Sequence, residues 1–233
     1  MRGVVLAGGN GTRLNPLTNV TNKHLLPVYD KPMIFWPIQT LLDNGIKDIL
    51  IVTGKEHMGD IFRLLGSGKE FGCDFTYKVQ DEAGGIAEAL GLAEDFARGE
   101  SIAVILGDNI FVETPTIQDK PSLFFKQVDD PERFGCPVFD QNSVLKYIKE
   151  KPEIPASEYA VVGLYVYDHL AFDFIKSLNP SERGELEITD VNNLYIKEGI
   201  DYSVIHGEWL DAGTIESLHN ATFILSSKKQ SNV

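Results

Sequence analysis

Cysteine is scarce. The chain holds two, Cys73 and Cys136, far apart and outside any Cys-x-x-Cys spacing. That excludes a disulfide-framed scaffold and a thiolate zinc site. Long apolar runs are missing too, so no segment reads as a membrane span. No amino-terminal stretch has the basic, apolar, small-residue order of a secretory signal, and a cytoplasmic location is expected. Positive charge is in short supply: 21 Lys and Arg face 34 Asp and Glu, for a net charge of -13. Such a balance argues against a nucleic-acid backbone as partner. Phosphate chemistry then requires a few cations placed locally, or carboxylates that hold a metal. The five histidines, His24, His57, His169, His206 and His219, show no ligand spacing. No Ser-His-Asp or Cys-His set can be assembled either.

What is present is a rhythm. Apolar runs at Val4–Leu6, Asp48–Thr53, Phe75–Val79 and Ile102–Leu106 predict strands. Helical patterns lie between them near Met33–Asn44, Asp60–Leu65 and Ile86–Ala97. Strand and helix alternating in this way imply an α/β fold with a largely parallel sheet and right-handed crossovers. From about Ser122 the pattern changes. Ser122–Val128, Pro137–Phe139, Val144–Lys149 and Ala160–Val166 read as strands joined by short turns, and so partly antiparallel. Helices return near Leu170–Leu178, Asp190–Glu198 and Ile215–Ser226, and the polar tail from Ser226 is expected to fray. One domain over 1–233 is expected, in two halves, 1–115 and 116–233.

The first strand empties into Gly8-Gly9-Asn10-Gly11-Thr12-Arg13. A dinucleotide fingerprint needs a third glycine where Leu14 stands, and no P-loop string exists. Three glycines, a hydroxyl and an arginine remain, with Pro16 opposing an immediate helix. Glycines let backbone N–H groups approach an anion, and Arg13 can clamp phosphate with two parallel hydrogen bonds. Taken alone, such a loop is more often a plain turn with solvated cations.

Longer strings decide otherwise. LAGGNGTRLNPLT from Leu6 and KHLLP from Lys23 resemble the signature of the sugar-1-phosphate nucleotidylyltransferase family, nearest its thymidylyltransferase branch. The likeness continues through YDKPMI from Tyr29, LGDNIF from Leu106, DPERFG from Asp130 and EKP from Glu150. It ends with RGELEITD from Arg183 and WLD from Trp209, and so covers most of the chain in order. The resemblance implies a Rossmann-like, mixed but mostly parallel sheet flanked by helices. It implies transfer of a nucleotidyl group from dTTP to glucose 1-phosphate, with release of pyrophosphate.

The resemblance also assigns roles. Arg13 and Lys23 would oppose charge at the reacting phosphorus, and Asp108 and Asp211 would hold Mg²⁺. Leu6, Gly8, Gly9, Gly11, Thr12, Arg13, Gln80, Gly85 and Asp108 would bind the nucleotide. Gly135, Glu150, Lys151, Val161, Tyr165 and Arg183 would bind the sugar phosphate. Elementary chemistry agrees with several of these. Asp108 follows the end of a predicted parallel strand, where ligands gather. The Gln80 amide can pair with N3–H and O4 of thymine or uracil, which cytosine cannot match. Thr189 or Asp190 is read only as a helix cap, and Trp209 as packing beside the metal loop.

Departures from the family pattern are Asn22 for serine, Cys136 for valine, Ile86 for leucine, and a short stretch between Phe111 and Ser122. Many relatives also carry a further helical segment, so a reduced homo-oligomer, a dimer, is expected. A UTP-dependent uridylyltransferase and a non-catalytic binding subunit remain as alternatives. A glycosyltransferase is disfavoured because Asp108-Asn109-Ile110 lacks a second aspartate.

Overall fold

A computed structural model describes residues 1–231, and in it the chain divides into two compact units. The first, here the loop unit, gathers 2–83, 105–116 and the described residues from 207 on. The second, the inserted unit, gathers residue 1, 84–104 and 117–206.

In chain order the loop unit begins with β1 (Arg2–Ala7), the short strands β2 (Pro27–Val28) and β3 (Lys31–Pro32), and helix α1 (Phe35–Asp43). It continues with β4 (Asp48–Gly54), α2 (Met58–Leu65) and β5 (Asp74–Gln80). The inserted unit opens with α3 (Ile86–Gly91) and α4 (Glu94–Ala97). Then β6 (Ile102–Leu106) carries the chain back to the loop unit, where β7 (Asn109–Phe111) follows. After this come β8 (Ser122–Gln127), β9 (Gly135–Phe139), β10 (Leu145–Glu150) and β11 (Tyr159–Tyr167) of the inserted unit. Helices α5 (Leu170–Ser177) and α6 (Ile188–Glu198) and strand β12 (Asp201–Val204) complete it. The loop unit closes with β13 (Trp209–Asp211) and α7 (Ile215–Ser231).

In the loop unit β1, β4 and β5 are parallel, with Gly3 opposite Ile49 and Asp48 opposite Asp74. Their runs are apolar because both faces are covered, which leaves Val4, Val5, Ile49, Leu50 and Ile51 fully buried. In the inserted unit β8 pairs antiparallel with β11 and parallel with β12, and β9 pairs antiparallel with β10. The fold is α/β with a mixed, mostly parallel sheet, as expected. Among the described residues no helix is long and apolar enough to cross a membrane.

Three local expectations need correction. The helix read over Ile86–Ala97 is two pieces, interrupted after Gly91. Gly91 is the last residue of the first piece, and glycine, whose backbone loses the most freedom in a helix, is a poor residue with which to continue one. The tail does not fray at Ser226, since α7 continues to Ser231. Lys228 reaches Glu113 at 2.6 Å and Lys229 reaches Asp30 at 2.5 Å, tying down its last turns. Neither Thr189 nor Asp190 caps α6. The cap position is Glu187, and Thr189 lies buried inside the first turn.

Candidate active site

The glycine loop leaves β1 at Ala7 and is pinned on its far side by Leu14, which is fully buried. Leu14 shares an apolar cluster with Leu26, Val28, Met33, Ile110, Leu210, Ala212, Leu218, Ala221 and Leu225. Burying one such leucine stabilises by about 1.5–3 kcal/mol, enough to hold a loop that has few contacts of its own. Gly11 adopts φ +63, and a Cβ there would stand 2.9 Å from the Lys23 side chain. Only glycine meets both conditions. The carbonyl of Gly11 accepts from Leu14 N and from Thr18 Oγ1, each at 2.9 Å.

Lys23 begins a short 3₁₀ turn whose cap is Asn22; the Asn22 side chain accepts from His24 N. The lysine side chain then runs along the loop. From the place of a Gly9 Cβ, its Cε is 3.5 Å away and its Nζ 3.6 Å. Nζ ends 2.5 Å from Oδ2 of Asp108. Asp108 stands in the turn between β6 and β7. Its Oδ1 accepts from Asn109 Nδ2 at 3.1 Å, and its carbonyl accepts from Ala212 N at 3.0 Å. Asn109 is held in turn by Trp209, whose Nε1 donates to Oδ1 at 2.7 Å. Trp209 thus packs beside the turn that carries Asp108.

Burial alone would raise the Asp108 carboxyl. The Lys23 charge and the hydrogen bonds from Lys23 and Asn109 outweigh it and hold the group well below the ordinary carboxylate range. His24 is lowered as well, which for a base favours the neutral form. Full burial, reinforced by the Lys23 charge, lowers it from 6.5 to about 3, so the ring is neutral at pH 7. Its Nδ1 lies 2.8 Å from Asn22 Oδ1. The ring also lines Gly107: a Cβ there would stand 2.5 Å from Cδ2 and 2.8 Å from Nε2. His24 and Gly107 together shape the turn that presents Asp108.

Asp211 ends β13, paired opposite Asn109, and its Oδ1 accepts from Gly213 N at 3.1 Å. The space above Gly213 gathers the site. From the point a Cβ would occupy, Asp211 Oδ1 is 2.9 Å away, Arg13 Nη2 3.4 Å and Asp108 Oδ2 3.6 Å. Arg13, Lys23, Asp108 and Asp211 are therefore brought together in one unit, beside Gly9, Gly11 and Thr12. Gln80, at the end of β5, is buried, and its Oε1 lies against the place of a Gly8 Cβ. Leu6 faces the same end of the sheet, its carbonyl accepting from Gly107 N at 2.9 Å.

The inserted unit holds a second group. Gly135 stands opposite Glu150 across β9 and β10. A Cβ on Gly135 would be 3.4 Å from Thr189 Oγ1 and 3.6 Å from Glu150 Oε2. Thr189 Oγ1 donates to that same Oε2 at 2.5 Å. Lys151 Nζ is 3.5 Å and Arg183 Nη2 3.8 Å from Glu150 Oε1. Val161 and Tyr165 are buried on β11, where Tyr165 stacks on Tyr167 at 5.6 Å. Gly85, at φ +104, lies against the backbone of Leu186, and Leu186 N donates to the Gly84 carbonyl at 2.8 Å.

Sequence reasoning passed over His24, Asn109, Thr189 and Gly213. Histidine spacing gives no hint of His24, since its partner is a glycine more than eighty residues away. Gly213, two residues after Asp211, was the one legible signal, because a missing side chain beside a carboxylate suits close approach.

Residues 2–228 match the family model described as nucleotidyl transferase. A glucose-1-phosphate thymidylyltransferase of Neisseria meningitidis serogroup A is 46% identical, over 95% of this chain and 81% of the relative. One from Mycolicibacterium smegmatis is 41% identical, again over 95% and 81%. A solved protein of Bacillus anthracis, provisionally described as a glucose-1-phosphate thymidylyltransferase and complexed with sucrose, superposes with a TM-score of 0.90. It is 51% identical, over 96% of this chain and 94% of its own. A UDP-glucose pyrophosphorylase solved with UDP-glucose superposes at 0.85 with 23% identity, over 97% and 98%, a likeness of fold alone.

Proposed function

The chain belongs to the nucleotidyl transferase family, and on that premise we propose that it joins dTTP to glucose 1-phosphate, giving dTDP-glucose and pyrophosphate. The named relatives support this choice of substrates. The observation that carries the reading is the gathering of Arg13, Asp108 and Asp211 about Gly213, with Lys23 on Asp108.

A phosphate oxygen of the sugar phosphate attacks the α-phosphorus of dTTP. The bond to the bridging oxygen of the β-phosphate breaks, and pyrophosphate leaves with the electron pair. The nucleophile is already ionised near neutral pH, so no general base is needed. Alignment and charge neutralisation remain as the work of the protein. Arg13 and Lys23 face the charge that grows on the reacting phosphorus and the leaving group. Glycine-loop N–H groups cradle the phosphates, and Gln80 reads the base edge. Glu150 accepts from sugar hydroxyls, while Lys151 and Arg183 bind the phosphate of the sugar.

Two carboxylate oxygens within 3.6 Å of one point, above a residue with no side chain, fit Mg²⁺, which takes one or two carboxylates plus phosphate oxygens and water. Asp108 and Asp211 would hold it, and it would supply further neutralisation of the triphosphate. Family resemblance extends the proposal to a cytoplasmic homo-oligomer, whose order light scattering on the purified chain measures.

Pyrophosphate release across four nucleoside triphosphates and four sugar 1-phosphates tests the reading. The greatest kcat/KM is expected for dTTP with glucose 1-phosphate. A strong preference for UTP would overturn the nucleotide assignment, and no release with any pair would overturn the activity.

A further inference from the structure

Within the inserted unit, Glu187 has no part in the scheme above, yet it is the best-anchored carboxylate near Arg183. Its side chain is only 14% exposed and stands at the cap position of α6, where a helix amino terminus favours negative charge. Oε1 accepts from Ser181 Oγ at 2.8 Å, from Arg183 Nε at 3.2 Å and from Arg183 Nη2 at 2.8 Å. Oε2 accepts from Nη2 at 2.9 Å. Glu187 therefore engages the Nε–Nη2 edge of the guanidinium. At the opposite corner, Nη1 makes no hydrogen bond among the described residues.

We propose that Glu187 is a positioning residue for the sugar 1-phosphate: it fixes Arg183 by one edge so that Nη1 is left to donate to the phosphate. The proposal rests on the reading of Arg183 as a phosphate ligand. A guanidinium has two usable edges, and a carboxylate on one pre-orders the plane for an anion on the other. Arg183 is 45% exposed and, without Glu187, a long side chain would sample many rotamers. The opposite possibility is competition. Glu150, Glu185 and Glu187 all lie within 3.9 Å of Nη2, a surplus of negative charge that could hold the arginine away from a dianion. The two differ in sign. If Glu187 competes, its removal tightens sugar-phosphate binding; if it positions, removal weakens it. Geometry favours positioning, because Nη1 is available with no bond broken, and Ser181 keeps Glu187 in place.

Steady-state kinetics with each substrate varied in turn, on Glu187→Gln, Glu187→Asp and Arg183→Ala, decide the matter. Glu187→Gln is expected to raise KM for glucose 1-phosphate about fivefold or more, with KM for dTTP within about twofold and Tm little changed. Glu187→Asp should recover part of the loss, and in the Arg183→Ala background Glu187→Gln should add nothing. An unchanged or lowered KM in Glu187→Gln, where Arg183→Ala raises it, overturns the positioning role and leaves the subsite standing. An unchanged KM in Arg183→Ala removes the subsite and the proposal with it. Equal rises in KM for both substrates with a lowered Tm would mark a merely structural residue and also overturn it. If Glu187→Gln does not fold, Ser181→Ala gives the same decision: a smaller rise confined to the sugar-phosphate KM supports the role, and no rise overturns it.

Discussion

Lys23 and Asp108 meet at 2.5 Å with side chains only 13% and 11% exposed, although 85 positions separate them in the chain. A pair this well covered is sensitive to loss of one member, because the other charge stays buried and unpaired. Asp108→Asn is expected to lower unfolding stability by about 3–5 kcal/mol in urea titrations. Turnover in Lys23→Ala and Asp108→Asn should each fall at least about tenfold, and by as much as 10³ if the charge acts at the transition state. Wild-type turnover in both would remove the roles assigned to them.

Gly213→Ala isolates the proposed Mg²⁺ cradle. Its Cβ would stand 2.9 Å from Asp211 Oδ1, forcing the carboxylate to move, while the backbone is unstrained. Activity should fall about tenfold or more, with higher Mg²⁺ needed for half-maximal rate, and stability should change by less than about 1 kcal/mol. Equal activity at all Mg²⁺ concentrations would contradict the placement.

His24 predicts a pH dependence of stability. The unfolded chain protonates this ring near 6.5 and the folded one at about 3. As pH falls between those values the unfolded state binds the extra proton, so stability is full above pH 6.5 and declines toward pH 3. The slope reaches about 1.4 kcal/mol per pH unit from this group. Asp108 acts lower. Its folded value is depressed, so its contribution is full above the unfolded 3.8 and lost only beneath it. Urea unfolding from pH 7 to 4.5 should therefore show a decline that His24→Gln flattens; an identical slope in the variant would refute the assignment.

Gln80→Ala is expected to weaken discrimination against CTP more than it lowers the maximal rate, as follows from the proposed role of its amide at the base rather than the phosphates. Competition between dTTP and CTP at fixed glucose 1-phosphate measures this directly.

Much of the architecture was legible. Val4–Leu6 and Asp48–Thr53 announce buried parallel strands because covered sheets leave apolar runs with no alternation. The strings around Arg13, Lys23, Asp108 and Asp211 placed these residues in one constellation, and the loop unit does bring them together. What stayed hidden depends on tertiary contact. Asn22-Lys23-His24 looks like an exposed polar stretch, yet His24 is buried because Gly107 leaves room for its ring. Thr189 reads as a cap from its neighbours, but its hydroxyl is drawn to Glu150 on a different element. The break after Gly91 was legible in part, since glycine is a local stop signal that the apolar periodicity of Ile86–Ala97 overrode.

The return of α7 to the loop unit has a temporal consequence. Leu210, Ala212, Leu218, Ala221 and Leu225 supply half of the ten residues in the cluster beneath the glycine loop. A nascent chain emerging from the ribosome thus carries Leu14, Leu26 and Met33 without half of the residues that cover them until Leu225 has been made. Asp211 arrives equally late. Translation arrested near His206 should yield a chaperone-dependent, protease-sensitive species, and the loop should become resistant only once the last helix has been made.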